Sequence, residues 1–390
     1  MSSPDSNAAA TAEVHRILCV AGARPNFVKI APIMRSLAGS EQFRPLLVHT
    51  GQHYDAKLSR VFFEDLGIPA PDISLEVGSG SHAQQTAEIM RRFEGVVEAE
   101  QPHVVLVVGD VNSTVACALV ASKTVLARPF DWSHQRGRRR PLSVHVEAGL
   151  RSHDDDMPEE INRRLTDSVS DLLFVSEPSG VENLVNEGVD PSRIHFVGNV
   201  MIDTLLAARE RAMHSDILDR LGFPPGSYCL VTLHRPSNVD DPAQLAQLAG
   251  VLDGIAERMP LIFPVHPRTR ARIESSGLRL HTDRWRLIEP VGYLEFMRLM
   301  SAARLVCTDS GGVQEETTIL GVRCLTLRDN TERPVTISEG TNILAGTRRD
   351  TIWPAFERAM AEPCEQRQPQ LWDGQAAPRI TAALAAALTI

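Results

Sequence analysis

The sequence contains no apolar run near the roughly 18 residues needed to cross a bilayer. Its start, MSSPDSNAAATAEVH, also lacks the basic and then apolar regions of a secretory signal. The reading is a cytoplasmic protein whose residues 1–14 form a flexible tail. Basic residues are in deficit, with 40 Lys and Arg against 49 Asp and Glu, a net charge of −9. Generic attraction to nucleic acid or to an anionic membrane is therefore not expected, and any anion this chain binds must be held locally. Cysteine is scarce. The six (Cys19, Cys117, Cys229, Cys307, Cys324 and Cys364) lie far apart with no C-x-x-C pair, and four sit inside apolar runs, which reads as reduced core thiols. No Gly-x-Gly-x-x-Gly, Walker-type loop or His-Glu-x-x-His follows an apolar run, which argues against a tightly bound dinucleotide, a P-loop NTPase and a zinc protease. Neither a cofactor nor a metal is expected.

At 390 residues the chain has room for two or three domains. With 43% hydrophobic and 23% charged residues it has the composition of a folded globular protein. Short Val/Ile/Leu-rich runs recur at 16–21, 45–49, 103–109, 142–146, 172–176 and 194–197, then at 228–233, 260–265, 285–289, 304–308 and 323–327. Amphipathic stretches separate them, the mark of α/β architecture with parallel sheets and crossover helices. Two such sets follow one another, and the break falls near 198–204, after Gly198-Asn199. The stretch AAPRITAALAAALTI, from Ala376 to Ile390, has helical spacing and is expected to pack back on the first set. The segment RPFDWSHQRGRRRP at 128–141 carries five arginines and reads as a solvated surface loop, or as an anion- or partner-binding insertion.

Ligands of open parallel sheets bind beyond the carboxyl ends of the strands. Chemistry is therefore expected in the residues just beyond each run. Gly22 to Lys29, with Arg24 and Lys29, comes after the first run, Asp110 after the run at 103–109, and Glu147 after PLSVHV. His234-Arg235 and His266 end two runs of the second set, and Asp309-Ser310-Gly311-Gly312 ends another. Taken singly, most have plain structural explanations. Asp110 with Asn112, Ser113 and Thr114 suits an N-cap, and Ser310-Gly311-Gly312 suits a turn into a helix as well as a phosphate cradle. Glu159 and Glu160 before Arg163 and Arg164 suit an ion-paired helix. Glu147 has the poorest structural excuse, because an acid at the end of a buried strand is costly unless paired or used. Taken together, they point to a charged cleft between two facing sheets.

GARPNFVKIAP at 22–32, the Gly-Asp at 109–110, HVEAGLRS at 145–152, PEEINRRLTD at 158–167, HRPSNVD at 234–240, TDSGGVQEE at 308–316 and RDNTERPV at 328–335 resemble, in order, the non-hydrolysing UDP-N-acetylglucosamine 2-epimerases. The resemblance implies two Rossmann-like domains facing across a cleft in a GT-B-like architecture, in a homodimer. It places an N-terminal domain over 15–200, rejoined by helix 376–390, and a UDP-binding domain over 201–375. It implies that Arg24 and His234 lie near the diphosphate, which Ser310, Gly311 and Gly312 cradle. Glu316 would accept from the ribose hydroxyls, and Phe296 would lie against uracil. Arg163 and Arg333 would complete the polar wall with Lys29, and Asp110, Glu147 and Glu159 would surround the sugar. Asn26 stands where many members have glutamate. In TGQHYDAK at 50–57 a tyrosine follows Gln52-His53 where regulated bacterial members have arginine, so the resemblance leaves activation by a second UDP-sugar open. The implied reaction is C2 epimerisation by elimination of UDP and re-addition through a glycal, on UDP-N-acetylglucosamine or on a 2,3-diacetamido relative. A glycosyltransferase, a hydrolysing epimerase and a non-catalytic nucleotide-sugar sensor are the rival readings.

Overall fold

The computed structural model describes residues 14–51, 65–276, 283–364 and 368–388, and of Arg24 and Arg268 the backbone alone. The expected tail up to residue 13 and the Gln52-His53-Tyr54 segment lie outside the described residues. Fifteen strands are present among them. In the first half these are β1 (His15–Ala21), β2 (Phe43–His49), β3 (Ile73–Ser74), β4 (Val104–Val108), β5 (Phe130–Trp132), β6 (Gln135–Arg138), β7 (Leu142–Ala148), β8 (Leu172–Val175) and β9 (Ile194–Phe196). The second half has β10 (Cys229–Thr232), β11 (Leu261–Pro264), β12 (Trp285–Ile288), β13 (Leu305–Thr308), β14 (Cys324–Thr326) and β15 (Asn342–Leu344). One sheet runs β3-β2-β1-β4-β7-β8-β9, the other β12-β11-β10-β13-β14-β15, and neighbours within each pair in parallel. Every residue of β4, a continuous apolar run, is buried, and so is every residue of β7 including its polar Ser143, His145 and Glu147, as befits central strands of a sheet covered on both faces.

Chain order reverses at β1, which lies between β2 and β4, and again at β10, between β11 and β13. A crevice opens at such a switch point beyond the strand ends. The segments after β1, β4, β10 and β13 therefore line two crevices, one per sheet. The C-terminal helix Ala376–Leu388 returns to the first sheet and buries Ile380 and Leu384 in that sheet's core. Ser36 and Thr381 share a hydrogen bond of 2.7 Å, and the Asp203 carboxylate caps the helix start by accepting from the N–H groups of Ala376 (3.1 Å) and Ala377 (2.7 Å). Cys19, Cys117, Cys229, Cys307 and Cys324 are buried free thiols, and Cys364 is exposed. No helix among the described residues is long and apolar enough to cross a membrane.

The structure corrects the reading of 128–141 as a solvated loop. Its centre is an antiparallel hairpin, β5 with β6, that buries Phe130, Trp132 and Arg138. Arg138 donates to Asp171 (2.6 Å) and lies over the Trp132 ring, Arg139 donates to the carbonyl of Ala127 (3.1 Å), and Arg140 to that of Ser122 (3.0 Å). Arg138 is thereby committed to the protein's own acceptors, while Arg139 and Arg140 remain exposed. β3, at two residues, is too short to form an apolar run.

Candidate active site

Beyond β1 the chain turns into the helix Arg24–Ala38. Asn26, in its first turn, accepts from the N–H groups of Gly22 (3.2 Å) and Ala23 (2.9 Å) and donates to the carbonyl of Val108 (3.1 Å). A carboxylate could not make that last donation, so asparagine here ties the first turn to the end of β4. Lys29, one turn on, is buried, and its ammonium donates to Glu147. Gly109 follows β4 with φ +68°, and a Cβ there would lie 3.1 Å from Lys29 Nζ and 3.5 Å from Glu147 Oε2, so the crevice requires glycine. Asp110 comes next, and its Oδ2 accepts from Arg163 Nε (3.0 Å) and Nη2 (2.6 Å). Burial pushes the Asp110 carboxyl up, but Arg163, Lys29 and Arg333 outweigh it and hold the group below the usual carboxylate range.

Glu147 has φ +75°, and the β7–β8 register slips between Val146 and Ala148. The bulge re-aims the side chain. A non-glycine residue in the left-handed region costs on the order of 1–3 kcal/mol and persists only where its surroundings over-determine it. Those surroundings are ionic: one carboxylate oxygen accepts from Lys29, the other from Arg333, and all three residues are buried. Arg333 comes from the second half of the chain and also donates to Glu315. The ion chain therefore joins the two halves, and Asn330 adds a bond of 3.4 Å to Asp154.

On the second sheet Asp309 is fully buried after β13 and accepts from the N–H groups of His234 (3.1 Å) and Arg235 (2.9 Å) and from Asn238 Nδ2 (3.2 Å). Burial pushes its carboxyl up, but contact with His234 and these amides keeps it below the usual range. His234 Nδ1 lies 3.1 Å from Asp309 Oδ1, while the His234 side chain remains 54% exposed. Ser310 then leads into the helix Gly311–Leu320, whose first N–H groups have no partner inside the helix. A Cβ on Gly311 would meet Glu332 Oε1 at 2.9 Å. Glu332 is itself buried between Arg235 (3.1 Å) and Arg328 (2.8 Å); burial raises its carboxyl, and the surrounding arginines pull it far below the usual range. Glu316 is buried and accepts from the Tyr293 hydroxyl (2.8 Å); burial pushes it up to about 7 against that hydrogen bond. Phe296, one turn beyond Tyr293, is half-buried.

One wall thus carries carboxylates paired with cations. The other offers a glycine-rich helix N-terminus, His234 and Arg235, a setting for an anion, with Glu316 as a hydroxyl acceptor. Among the described residues no group of three or more His, Cys, Asp or Glu is placed to hold a metal ion.

The family model for UDP-N-acetylglucosamine 2-epimerase matches residues 35–385. The chain belongs to this family. It is 41% identical to UDP-2,3-diacetamido-2,3-dideoxy-D-glucuronate 2-epimerase of Pseudomonas aeruginosa over 95% of this chain and 99% of that one. The crystal structure of Methanocaldococcus jannaschii UDP-GlcNAc 2-epimerase in complex with UDP-GlcNAc and UDP superposes with a TM-score of 0.85 at 38% identity, covering 95% and 99% of the two chains. Phytolacca americana UGT2, solved with UDP-2fluoro-glucose and pterostilbene, is 13% identical with a TM-score of 0.52 over 96% and 94% of the chains, a likeness of fold alone. The fold is the GT-B-like arrangement of two Rossmann-like units.

Within this epimerase chain, Lys29, Asp110, Glu147, Arg163 and Arg333 are brought near one another by shared ion pairs and charge effects. Through Asp309, His234 adjoins Ser310, Gly311 and Gly312. Glu159 is half-buried with no hydrogen-bond or ion-pair partner among the described residues; its neighbour Glu160 is buried instead, on Arg163 (2.7 Å) and the Ser152 N–H (2.9 Å). The Arg24 side chain lies outside what is described. Asp167, His145, Glu315, Glu332 and Tyr293 were not given roles from sequence. Four of these five lie within the matched segments HVEAGLRS, PEEINRRLTD, TDSGGVQEE and RDNTERPV, which was the available signal.

Proposed function

We propose that this chain reversibly inverts C2 of UDP-N-acetylglucosamine, or of a closely related UDP-2-acetamido sugar, by anti elimination of UDP and re-addition through a glycal. A carboxylate removes the C2 proton as the C1–O bond breaks and its electron pair leaves on UDP. UDP then adds back at C1, and a proton reaches C2 on the opposite face. Asp110, Glu147 and Glu159 supply the acid–base groups on the first wall. Arg24, His234 and the helix start at Ser310, Gly311 and Gly312 take the charge that gathers on the departing diphosphate, so they favour the transition state over the bound substrate. Glu316 takes the ribose hydroxyls, and Phe296 lies against the base. Residues 201–375 thus hold UDP and residues 15–200 the sugar, and closure of the two units shields the glycal from water.

The observation that carries this reading is Glu147, a strained and buried acid held between Lys29 of its own unit and Arg333 of the other. A second substrate, a UDP-2,3-diacetamido sugar, is favoured by the 41% identity over nearly the whole length of the Pseudomonas relative. A panel of UDP-sugars followed by NMR for C2 inversion tests both: inversion of the N-acetyl or the diacetamido sugar is expected, and inversion of neither overturns the proposal. We also assign a homodimer contact to the helix Pro158–Val169, where Ile161 and Leu165 stand 50% and 47% exposed one turn apart. A monomer in sedimentation at micromolar concentration would refute that contact.

A further inference from the structure

Two buried residues outside the proposed reacting set hold both reacting ends together. Asp167 lies on the helix Pro158–Val169, one turn beyond Arg163, and is 1% exposed. Its Oδ1 is 2.6 Å from His145 Nδ1, and its Oδ2 accepts from the Gly149 N–H at 3.1 Å and lies 2.8 Å from Arg151 Nη2. His145 and Gly149 stand two residues before and two after Glu147. One carboxylate therefore fastens the chain on both sides of the residue whose φ is +75°. Gly149 has φ +79°, and a Cβ there would strike the Gly180 carbonyl at 2.3 Å, so only glycine lets this amide reach Asp167.

The far side of the His145 ring completes the arrangement. Its Nε2 is 2.8 Å from the carbonyl oxygen of Gly109, the residue that leads into Asp110. That carbonyl can only accept. Burial pushes the Asp167 carboxyl up, but His145 and Arg151 outweigh it and the group stays below the usual range, so it accepts as well. The ring therefore donates to the Gly109 carbonyl from Nε2. The same helix thus grips Asp110 directly through Arg163 and Glu147 through the staple around it.

We propose that Asp167 and His145 are positioning residues for the epimerisation: Asp167 staples residues 145 and 149 around Glu147, and the His145 ring locks that bulge to the Gly109 peptide, fixing the separation of Glu147 from Asp110. This rests on the elimination reading above. Displacing a reacting group by about 1 Å can cost roughly a hundredfold in rate without loss of binding.

The test is D167N, which keeps the shape but replaces one acceptor by a donor. C2 deuteration in D2O and UDP affinity by calorimetry are measured against the parent. The expected result is a kcat roughly a hundredfold lower with UDP affinity changed less than about threefold. In 15N-histidine-labelled parent protein, the His145 signal, assigned by its loss in H145Q, should show a proton on Nε2. A folded D167N with unchanged kcat, equal losses in kcat and UDP affinity, or a parent His145 ring without a proton on Nε2 would overturn the proposal. Should D167N fail to fold, H145Q carries the kinetic test, since Asp167 keeps Gly149 and Arg151. Failure of the elimination reading shows separately, as a parent enzyme that places no deuterium at C2.

Discussion

The two walls of the cleft are built on different principles. On the first, Asp110, Glu147, Lys29 and Arg163 are each locked in an ion pair, and Asn26, Gly109 and the Asp167 staple fix the backbone beneath them. On the second, ion pairs of Asp309 with His234 and of Glu332 with Arg235 and Arg328 lie beneath the surface, but the face offered to an anion is looser: His234 is half-exposed, the amides after Ser310 are backbone, and burial raises the Glu316 carboxyl to about 7. Arg333 belongs to the second wall yet pairs with the first. The difference fits the tasks proposed for them: a proton must leave and return at fixed geometry, whereas a nucleotide must enter and depart. Rigid charge suits the first task, and backbone dipoles with a few adaptable side chains suit the second.

The largest effect is expected from breaking the first wall. Glu147→Gln removes an acid–base group and leaves Lys29 and Arg333 facing a neutral amide. Turnover should fall roughly a thousandfold, and denaturant unfolding should show a loss of about 3 kcal/mol, since one partner of a buried ion pair is gone. A variant with both rate and stability preserved would erase the contrast between the walls. His234→Ala should act on the second wall without touching stability: kcat about a hundredfold lower, UDP-sugar affinity within about threefold, and unfolding within about 0.5 kcal/mol of the parent. Equal losses of kcat and affinity would make His234 a plain binding residue.

Glu316→Gln should show the smallest effect and the clearest pH dependence. Burial raises the Glu316 carboxyl to about 7, so the stability it contributes is full below the ordinary carboxylate value and is lost as pH rises through about 7. The glutamine variant should therefore melt higher than the parent at pH 8 and without advantage at pH 4. UDP affinity runs the other way, because only the ionised carboxylate accepts freely from both ribose hydroxyls. Parent affinity should rise through about pH 7, and the variant should lose that rise along with about tenfold in affinity at pH 8. Calorimetry at pH 6, 7 and 8 checks it.

These contrasts were only partly legible in the sequence. β4 announced itself as a wholly apolar run and β7 as one interrupted by Ser143, His145 and Glu147, and most of the polar residues flagged just beyond the strand ends are those the structure draws towards the two crevices. Contacts set by tertiary placement left no local trace. Arg333 reaches Glu147 across 186 residues of chain, and nothing around position 147 signals a left-handed backbone in a glutamate. Glu159 and Glu160 are adjacent and chemically alike, and helix phase alone sends Glu160 inward. The hairpin at 130–138 hid because Arg138 looks solvated until Asp171 and the carbonyls of Arg140 and Pro141 that it satisfies are known. Asp167 closes a matched segment, yet its importance rests on the groups bound at both of its oxygens.

The central claim is that the C2 proton is removed by one group and returned on the other face while the C1–O bond is broken. Product formed in D2O from UDP-sugar carrying oxygen-18 in the bridge tests it in one sample by NMR. Deuterium at C2 together with movement of the label between bridging and non-bridging phosphate positions is the result predicted. Inverted product that retains its C2 hydrogen, or that exchanges it while the label stays in the bridge over long incubation, would contradict the elimination and with it the division of labour between the two walls.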